Sequence, residues 1–447
     1  MNFKKSELNK EYIYRTLDIL VPFVFGLLYL AWSRHIVIGG GDDEFMRYDI
    51  ARYIYDNKKL PWVDDPQLCS SNIWGISYAN RPMLNFVISA VFMWISAAFG
   101  YADETSLMYA ARLTSVLSSV VTIIFLIKIA EKLGLRNRYL LPICFGLIPE
   151  FSFLSGYVNS DSFAIMSVAM AIYFWYTGLE TEWDRRSIIG ITLSLAICFA
   201  SYQNVYGYIL VSGILFLVSS FIFSKNGGRK FSKAFLIGIG IIAVIFIISG
   251  WWYIRNAIHY NGDFSGREAM LEMAEKYAVP ELKPGNKMSL HEQGVSLITM
   301  LFPMGWISSA IYTCIGNFRV FEGTDAEVKM YSLLIKAVIA VIAAGVAAYI
   351  VRRIIDGVKH KGDTGRTVMD IHLLLGAAIV VLLSLIYSYF DDFQLAGRYI
   401  VPALIPIFIW FSQGVESAFR KLSPVVERVA ILLIVILFAS ANMMSIN

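Results

Sequence analysis

The chain has 447 residues, 57% hydrophobic and 16% charged, with a net charge of +4. Soluble domains carry about 25% charged residues, so the composition excludes an ordinary soluble protein. The scattered Lys and Arg exclude nucleic acid as a partner.

A charged leader, MNFKKSELNKEYIYRT, precedes the first apolar run with no small-residue cleavage site, so that run reads as an uncleaved span. Runs fit to cross about 30 Å of hydrocarbon are predicted at 17–38, 108–130, 139–155, 160–178, 187–203, 206–224, 234–254, 329–351, 370–390, 399–416 and 429–445. Two further apolar stretches, 83–100 and 292–316, are ambiguous by length. Basic residues decide between the readings, because short cytoplasmic loops collect Lys and Arg. If neither stretch crosses, more than half of the 38 Lys and Arg fall in short loops on one side. If 83–100 crossed alone, EKLGLRNR and SKNGGRKFSK would face outward. Both stretches are therefore expected to lie along or dip into the outer surface, where Trp94 and Trp306 suit an interface.

The expected fold is an all-α polytopic membrane protein, one multi-pass unit over 1–447. It has about eleven transmembrane helices and two external juxtamembrane helices. The N-terminus is expected on the cytoplasmic side, with large external segments at 39–107 and 255–328. The four cysteines, Cys69, Cys144, Cys198 and Cys314, lie far apart without metal-ligand spacing. Cys69 and Cys314 both fall in segments placed outside, but buried inert thiols are the preferred reading.

Charge avoids hydrocarbon, and the predicted spans are almost free of it at their centres. Ionisable residues gather instead at the outer ends, in GGGDDEFMRYDIARYIYDN, YANRPM, SGYVNSDS, WWYIRNAIHYNGDFSG and FDDFQLAGRYIVP. Asp42 or Asp43 would serve as the cap of the helix that follows, yet one cap does not account for three consecutive acids. A carboxylate at the bilayer surface is equally suited to general-base work or to a divalent ion. Arg81, Arg255 and Arg398 each read first as interfacial anchors, and together with the acids they suit a phosphate. Asp161 alone reads as a helix cap, and His259 carries no specific signal.

Taken in order, these segments resemble the polyprenyl-phosphate-sugar-dependent glycosyltransferases of the type C membrane fold (GT-C), similar to protein O-mannosyltransferases and lipid A aminoarabinose transferases. Members carry an Asp-Glu pair early in the first external loop, matched by Asp43-Glu44. A basic residue followed by Pro-Pro-Leu opens a juxtamembrane helix in the family. Here the run is Arg81-Pro82-Met83-Leu84, with the second proline lost. Arg112-Leu113, Gly156-Tyr157-Val158-Asn159 with Asp161, Arg255-Asn256 with Tyr260, Gly262 and Asp263, and Gly397-Arg398-Tyr399 with Pro402-Ala403 complete the set. The resemblance spans about residues 40–405.

It implies an enzyme that moves a sugar from a polyprenyl-phosphate-type lipid donor to a glycan, lipid or protein acceptor outside the cytoplasm, with inversion at the anomeric carbon. Asp43 and Glu44 are the implied catalytic residues. Arg81, Asp161, Arg255, His259 and Arg398 are the implied substrate-binding residues. No cofactor is called for, although a divalent metal is compatible with the acids. The competing reading is a transporter or flippase of a lipid-linked sugar. Carriers place ionisable residues and broken helices at mid-membrane, which makes it the weaker of the two.

Overall fold

The computed structural model describes residues 2–222, 231–317, 324–359 and 363–446, and these contain helices and loops but no strand. Helix α1 (Asn2–His35) leads to α2 (Glu44–Asn57), then to α3 (Leu84–Ala98) and α4 (Glu104–Lys132). A broken pair follows, α5 (Leu140–Gly146) and α6 (Pro149–Ser155), then α7 (Asp161–Thr181), α8 (Arg185–Phe199) and α9 (Gly207–Ile222). Next come α10 (Phe231–Ile245) and α11 (Trp251–His259), joined by a π-helical turn, Phe246–Gly250. The chain ends with α12 (Arg267–Tyr277), α13 (Trp306–Gly316), α14 (Asp325–Val358), α15 (Thr364–Phe390), α16 (Val401–Phe419) and α17 (Pro424–Met444). Among the described residues, ten helical segments are long and apolar enough to cross a membrane. The protein is multi-pass.

The passes alternate in direction, so the start of α4, α7, α14 and α16 and the finish of α1, α6, α8, α11, α15 and α17 meet at one end. That end carries the acids and arginines of the first external loop. Helix α3 begins and finishes there: Ser89 donates to the Ala111 carbonyl at 3.0 Å and Asn85 to that of Asn159 at 3.3 Å. Its 15 residues reach only about 22 Å at 1.5 Å per residue. The stretch Leu297–Gly316 qualifies as a span by length and composition, but it is interrupted at 302–305, around Pro303 and the left-handed Gly305. Its longer piece, α13, starts against Ser388 of α15 (Trp306 Nε1 to Oγ, 3.0 Å) and finishes against Tyr331 and Ile335 of α14. Both contacts lie in the same half of the bundle.

The predicted span 139–155 differs from expectation, because Pro149 cannot donate and splits it into two helices of 7 residues each. Backbone groups freed inside lipid must find partners, and they do. Gly146 O accepts from Tyr29 Oη at 3.2 Å and Ser152 Oγ at 3.1 Å, and Leu147 O accepts from Asn442 Nδ2 at 3.2 Å. Helices α14 and α16 approach so closely that a Cβ on Gly414 would lie 1.8 Å from the Gly345 carbonyl. Small residues make such crossings possible in membranes. The basic run 225–233 lies largely outside the described residues. All four cysteines are free and buried.

One ion pair fixes the loop after α1 to this bundle. Glu44, 1% exposed, receives both arms of Arg112 from α4, Nε to Oε1 and Nη2 to Oε2, each at 2.7 Å. The same guanidinium caps the end of α1, donating to Ser33 O at 2.5 Å and Ile36 O at 2.8 Å. The backbone N–H groups of Gly39 and Val158 complete the carboxylate, each at 3.0 Å. Glu44, expected beside Asp43 as a catalytic acid, is thus wholly occupied in joining α1, α2, α4 and the α6–α7 loop. It has no oxygen left for a substrate. Removing one member of a buried pair strands the other charge, at a cost of about 3–5 kcal/mol. Glu44→Gln should therefore lower the melting temperature in detergent by several degrees, and a wild-type melting curve would refute the clamp.

Candidate functional site

Directly before α2 the backbone of Asp43 turns left-handed, with φ 54°, a conformation that Asp tolerates better than most residues. The turn sends Glu44 back into the bundle and leaves Asp42 and Asp43 half-buried at the site end. The approach depends on Gly41, where a Cβ would fall 2.2 Å from the Tyr157 ring. Asp43 makes no capping hydrogen bond to α2. Its Oδ2 instead accepts from Tyr78 Oη at 2.8 Å and from Arg398 Nη2 at 3.3 Å. Arg398 also pairs with Asp42, Nη1 to Oδ2, at 3.0 Å. It reaches this position because Gly397 lies flat on α13, where a Cβ would fall 2.2 Å from Cys314 N.

Behind this pair lies a second one. Arg47, one helical turn after Asp43, faces Asp161 with Nη1 to Oδ2 at 3.5 Å, their side chains 1% and 2% exposed. Neither Asp161 oxygen has a hydrogen-bond partner, nor do Nε and Nη1 of Arg47. Asp161 is not the cap it suggests in sequence. Asn159 takes that role, accepting from Ser162 N at 2.9 Å and tying back to Leu154 O at 2.6 Å. Arg81 lies between two rings, 4.7 Å from the centre of Tyr78 and 4.6 Å from that of Tyr202. The other side of Tyr78 faces Arg47 at 5.2 Å. The groups nearest in charge to Arg81 are tyrosines and Arg47, with no carboxylate among them.

Electrostatics follow from this packing. Burial pushes the Asp43 carboxyl upward, but Arg47, Arg398 and the Tyr78 hydroxyl outweigh it and hold the group below its ordinary value. Asp43 is therefore fully ionised at neutral pH. Burial raises the Tyr78 phenol, which keeps its proton available for Asp43.

Of the residues singled out in sequence, the structure brings Asp43, Arg81, Asp161 and Arg398 together. It places Arg255 and His259 elsewhere. Arg255 lies 3.5 Å above the Trp62 ring and donates to Pro61 O at 2.8 Å, and His259 stacks on Trp62 at 3.8 Å. Tyr260 seals this knot by donating to Asp64 at 2.8 Å and accepting from Val63 N at 2.9 Å. The cluster braces the first loop against α11. Sequence reasoning passed over Arg47 and Tyr78. Their signals were spacing alone, Arg47 four residues after Asp43 and Tyr78 three before Arg81. Among the described residues, no three His, Cys, Asp or Glu side chains converge as a metal site. Arg398 faces Asp43 and Arg47 faces Asp161.

Residues 82–254 match the family described as dolichyl-phosphate-mannose-protein mannosyltransferase. No curated protein matches the chain. Among solved structures, the Archaeoglobus fulgidus oligosaccharyltransferase tethered to an acceptor peptide is similar with a TM-score of 0.56 and 14% identity, over 98% of this chain and 55% of that one. The same enzyme with an inhibitory peptide and a dolichol-phosphate gives 0.55 and 12%, over 97% and 56%. ArnT from Cupriavidus metallidurans bound to undecaprenyl phosphate gives 0.40 and 14%, over 92% and 81%. The chain thus spans little more than half the length of the archaeal enzyme, whose fold it shares almost end to end. The chain thus has the fold of the archaeal oligosaccharyltransferase, and its residues 82–254 are similar to the mannosyltransferase family.

Proposed function

We propose that the protein transfers a sugar from a polyprenyl-phosphate-type lipid to a hydroxyl acceptor at the site end of the bundle. The observation that carries this reading is Arg81, a guanidinium held between two tyrosine rings with no carboxylate opposite it, beside the ionised Asp43. A departing phosphate needs a fixed cation, and an acceptor needs a carboxylate on the opposite side of the reacting carbon. The family match and the dolichol-phosphate bound to the archaeal oligosaccharyltransferase support the donor class.

A lipid tail also has a place to lie. Helices α8, α9 and α10 enclose an apolar cavity of about 590 Å³, lined by Leu195, Phe199, Tyr206, Gly213, Phe216 and Gly238. Its upper wall, Phe199 and Tyr206, flanks Tyr202, on which Arg81 stacks. A chain in the cavity would bring its phosphate to Arg81.

In the reaction the acceptor oxygen attacks the anomeric carbon while the bond from that carbon to the phosphate oxygen breaks. The electron pair stays on the phosphate beside Arg81, and the acceptor proton passes to Asp43. Attack from the face opposite the leaving group inverts the carbon. A carboxylate held low is a weak base in the resting site, but it is always ionised and takes the proton as the new bond forms. We place the site on the external face of a cell membrane, with the N-terminus cytoplasmic, from the distribution of Lys and Arg.

Two substitutions test the reading. Because Asp43 caps nothing, Asp43→Asn should keep its melting temperature while losing about 10²–10⁴-fold in transfer from a polyprenyl-linked donor. Full activity would remove the base. At Gly213 an added side chain meets open space, so Gly213→Leu would fill part of the cavity. Each displaced CH₂ costs about 0.8 kcal/mol, so KM for a long-chain donor should rise about tenfold while a short-chain soluble donor is unaffected. An unchanged long-chain KM would remove the tail from this cavity.

A further inference from the structure

Tyr78 touches Asp43, Arg81 and Arg47, yet only its spacing before Arg81 marked it in sequence. It opens a short 3₁₀ turn, Tyr78–Asn80, fixed by Ser77 Oγ accepting from Ala79 N at 3.2 Å. Its ring is buried among residues of α2, α3 and α4 and the Val158 loop. One guanidinium faces it at 4.7 Å (Arg81) and another at 5.2 Å (Arg47), and its hydroxyl donates to Asp43 at 2.8 Å.

We propose that Tyr78 is a positioning residue that couples the cation receiving the phosphate to the carboxylate receiving the proton. This rests on the roles given above to Arg81 and Asp43. A guanidinium over an aromatic face is held by the ring's quadrupole, so the ring sets where Arg81 stands. The hydroxyl on the same rigid ring sets which way Asp43 points. One side chain therefore fixes the separation between the leaving-group cation and the base, the geometry on which a displacement depends. The charged and titratable groups around Asp43 are Asp42, which shares Arg398 with it, Arg47 of α2, Arg398 before α16 and Tyr78 itself, with Asp161 of α7 and Tyr157 behind Arg47. Among the described residues, Tyr78 is the one in contact with both Asp43 and Arg81.

Two substitutions separate its two halves. Tyr78→Phe keeps the ring and removes the hydroxyl, whereas Tyr78→Leu removes both. In nanodiscs, the affinity of Tyr78→Phe for a C55 polyprenyl monophosphate should stay within about twofold of wild type, while kcat for transfer falls at least about tenfold. Its acid limb should move up by about one pH unit, because a hydrogen bond to the ionised form is lost. Tyr78→Leu should in addition lose at least about tenfold in polyprenyl monophosphate affinity. A Tyr78→Phe enzyme with wild-type kcat and an unmoved acid limb would overturn the coupling while leaving the transfer reading intact. Equal loss of affinity in both variants would also overturn it, reducing Tyr78 to part of the phosphate cage. A wild-type protein that neither binds the monophosphate nor transfers sugar would take the donor reading down, and the coupling with it.

Discussion

Everything at the site hangs on the buried pair between Glu44 and Arg112. Its two parallel hydrogen bonds at 2.7 Å, with further bonds from Arg112 to the end of α1, join four segments at one point. Two charges removed from water repay their desolvation only when almost every lone pair and proton is used, and here the carboxylate receives four hydrogen bonds. The pair does no chemistry. It determines where the chain can turn, and the left-handed Asp43 that follows inherits its position from that anchor.

The site in front of the anchor is balanced in charge, with Asp42, Asp43 and Asp161 set against Arg47, Arg81 and Arg398. The balance is uneven in space. Arg398 pairs with two carboxylates and Tyr399, although its Nε has no hydrogen-bond partner. Arg47 and Asp161 face each other with donors and acceptors unused, an arrangement that costs free energy in a buried place. Arg81 stacks on two tyrosine rings, and among the described residues no carboxylate is paired with it.

The fold was largely legible in sequence because lipid imposes a simple rule on length and charge. The basic loops predicted that 83–100 and 292–316 do not cross, and in the structure both return to the end from which they start. Less legible was the split of 139–155, since a proline in an apolar run does not say whether partners exist for the freed carbonyls. At the site, Asp43, Arg81, Asp161 and Arg398 were visible as acids and bases in matching motifs. Glu44 and Asp43 are adjacent and chemically alike, and only the backbone turn between them sends one into the bundle and leaves the other at the site end. Arg255 and His259 share a motif with the site, but their partner is Trp62, a residue far off in sequence. Tyr78 was hidden because a tyrosine at a membrane interface is commonplace.

The broken third pass has a consequence for how such a chain is made. Asn442 of α17 donates to Leu147 O and to Ser152 Oγ at 2.7 Å, and its own oxygen accepts from Trp32 Nε1 of α1 at 3.3 Å. One amide near the end of the chain thus closes a contact among the first, third and last passes. Until α17 has been synthesised and inserted, the interruption between α5 and α6 lacks one of its partners, and α1 lacks the acceptor for its indole. The early helices can enter the membrane one by one, but their final packing waits for the ribosome to deliver the last. A chaperone or the insertion machinery would meet the first half of the bundle before this contact is made.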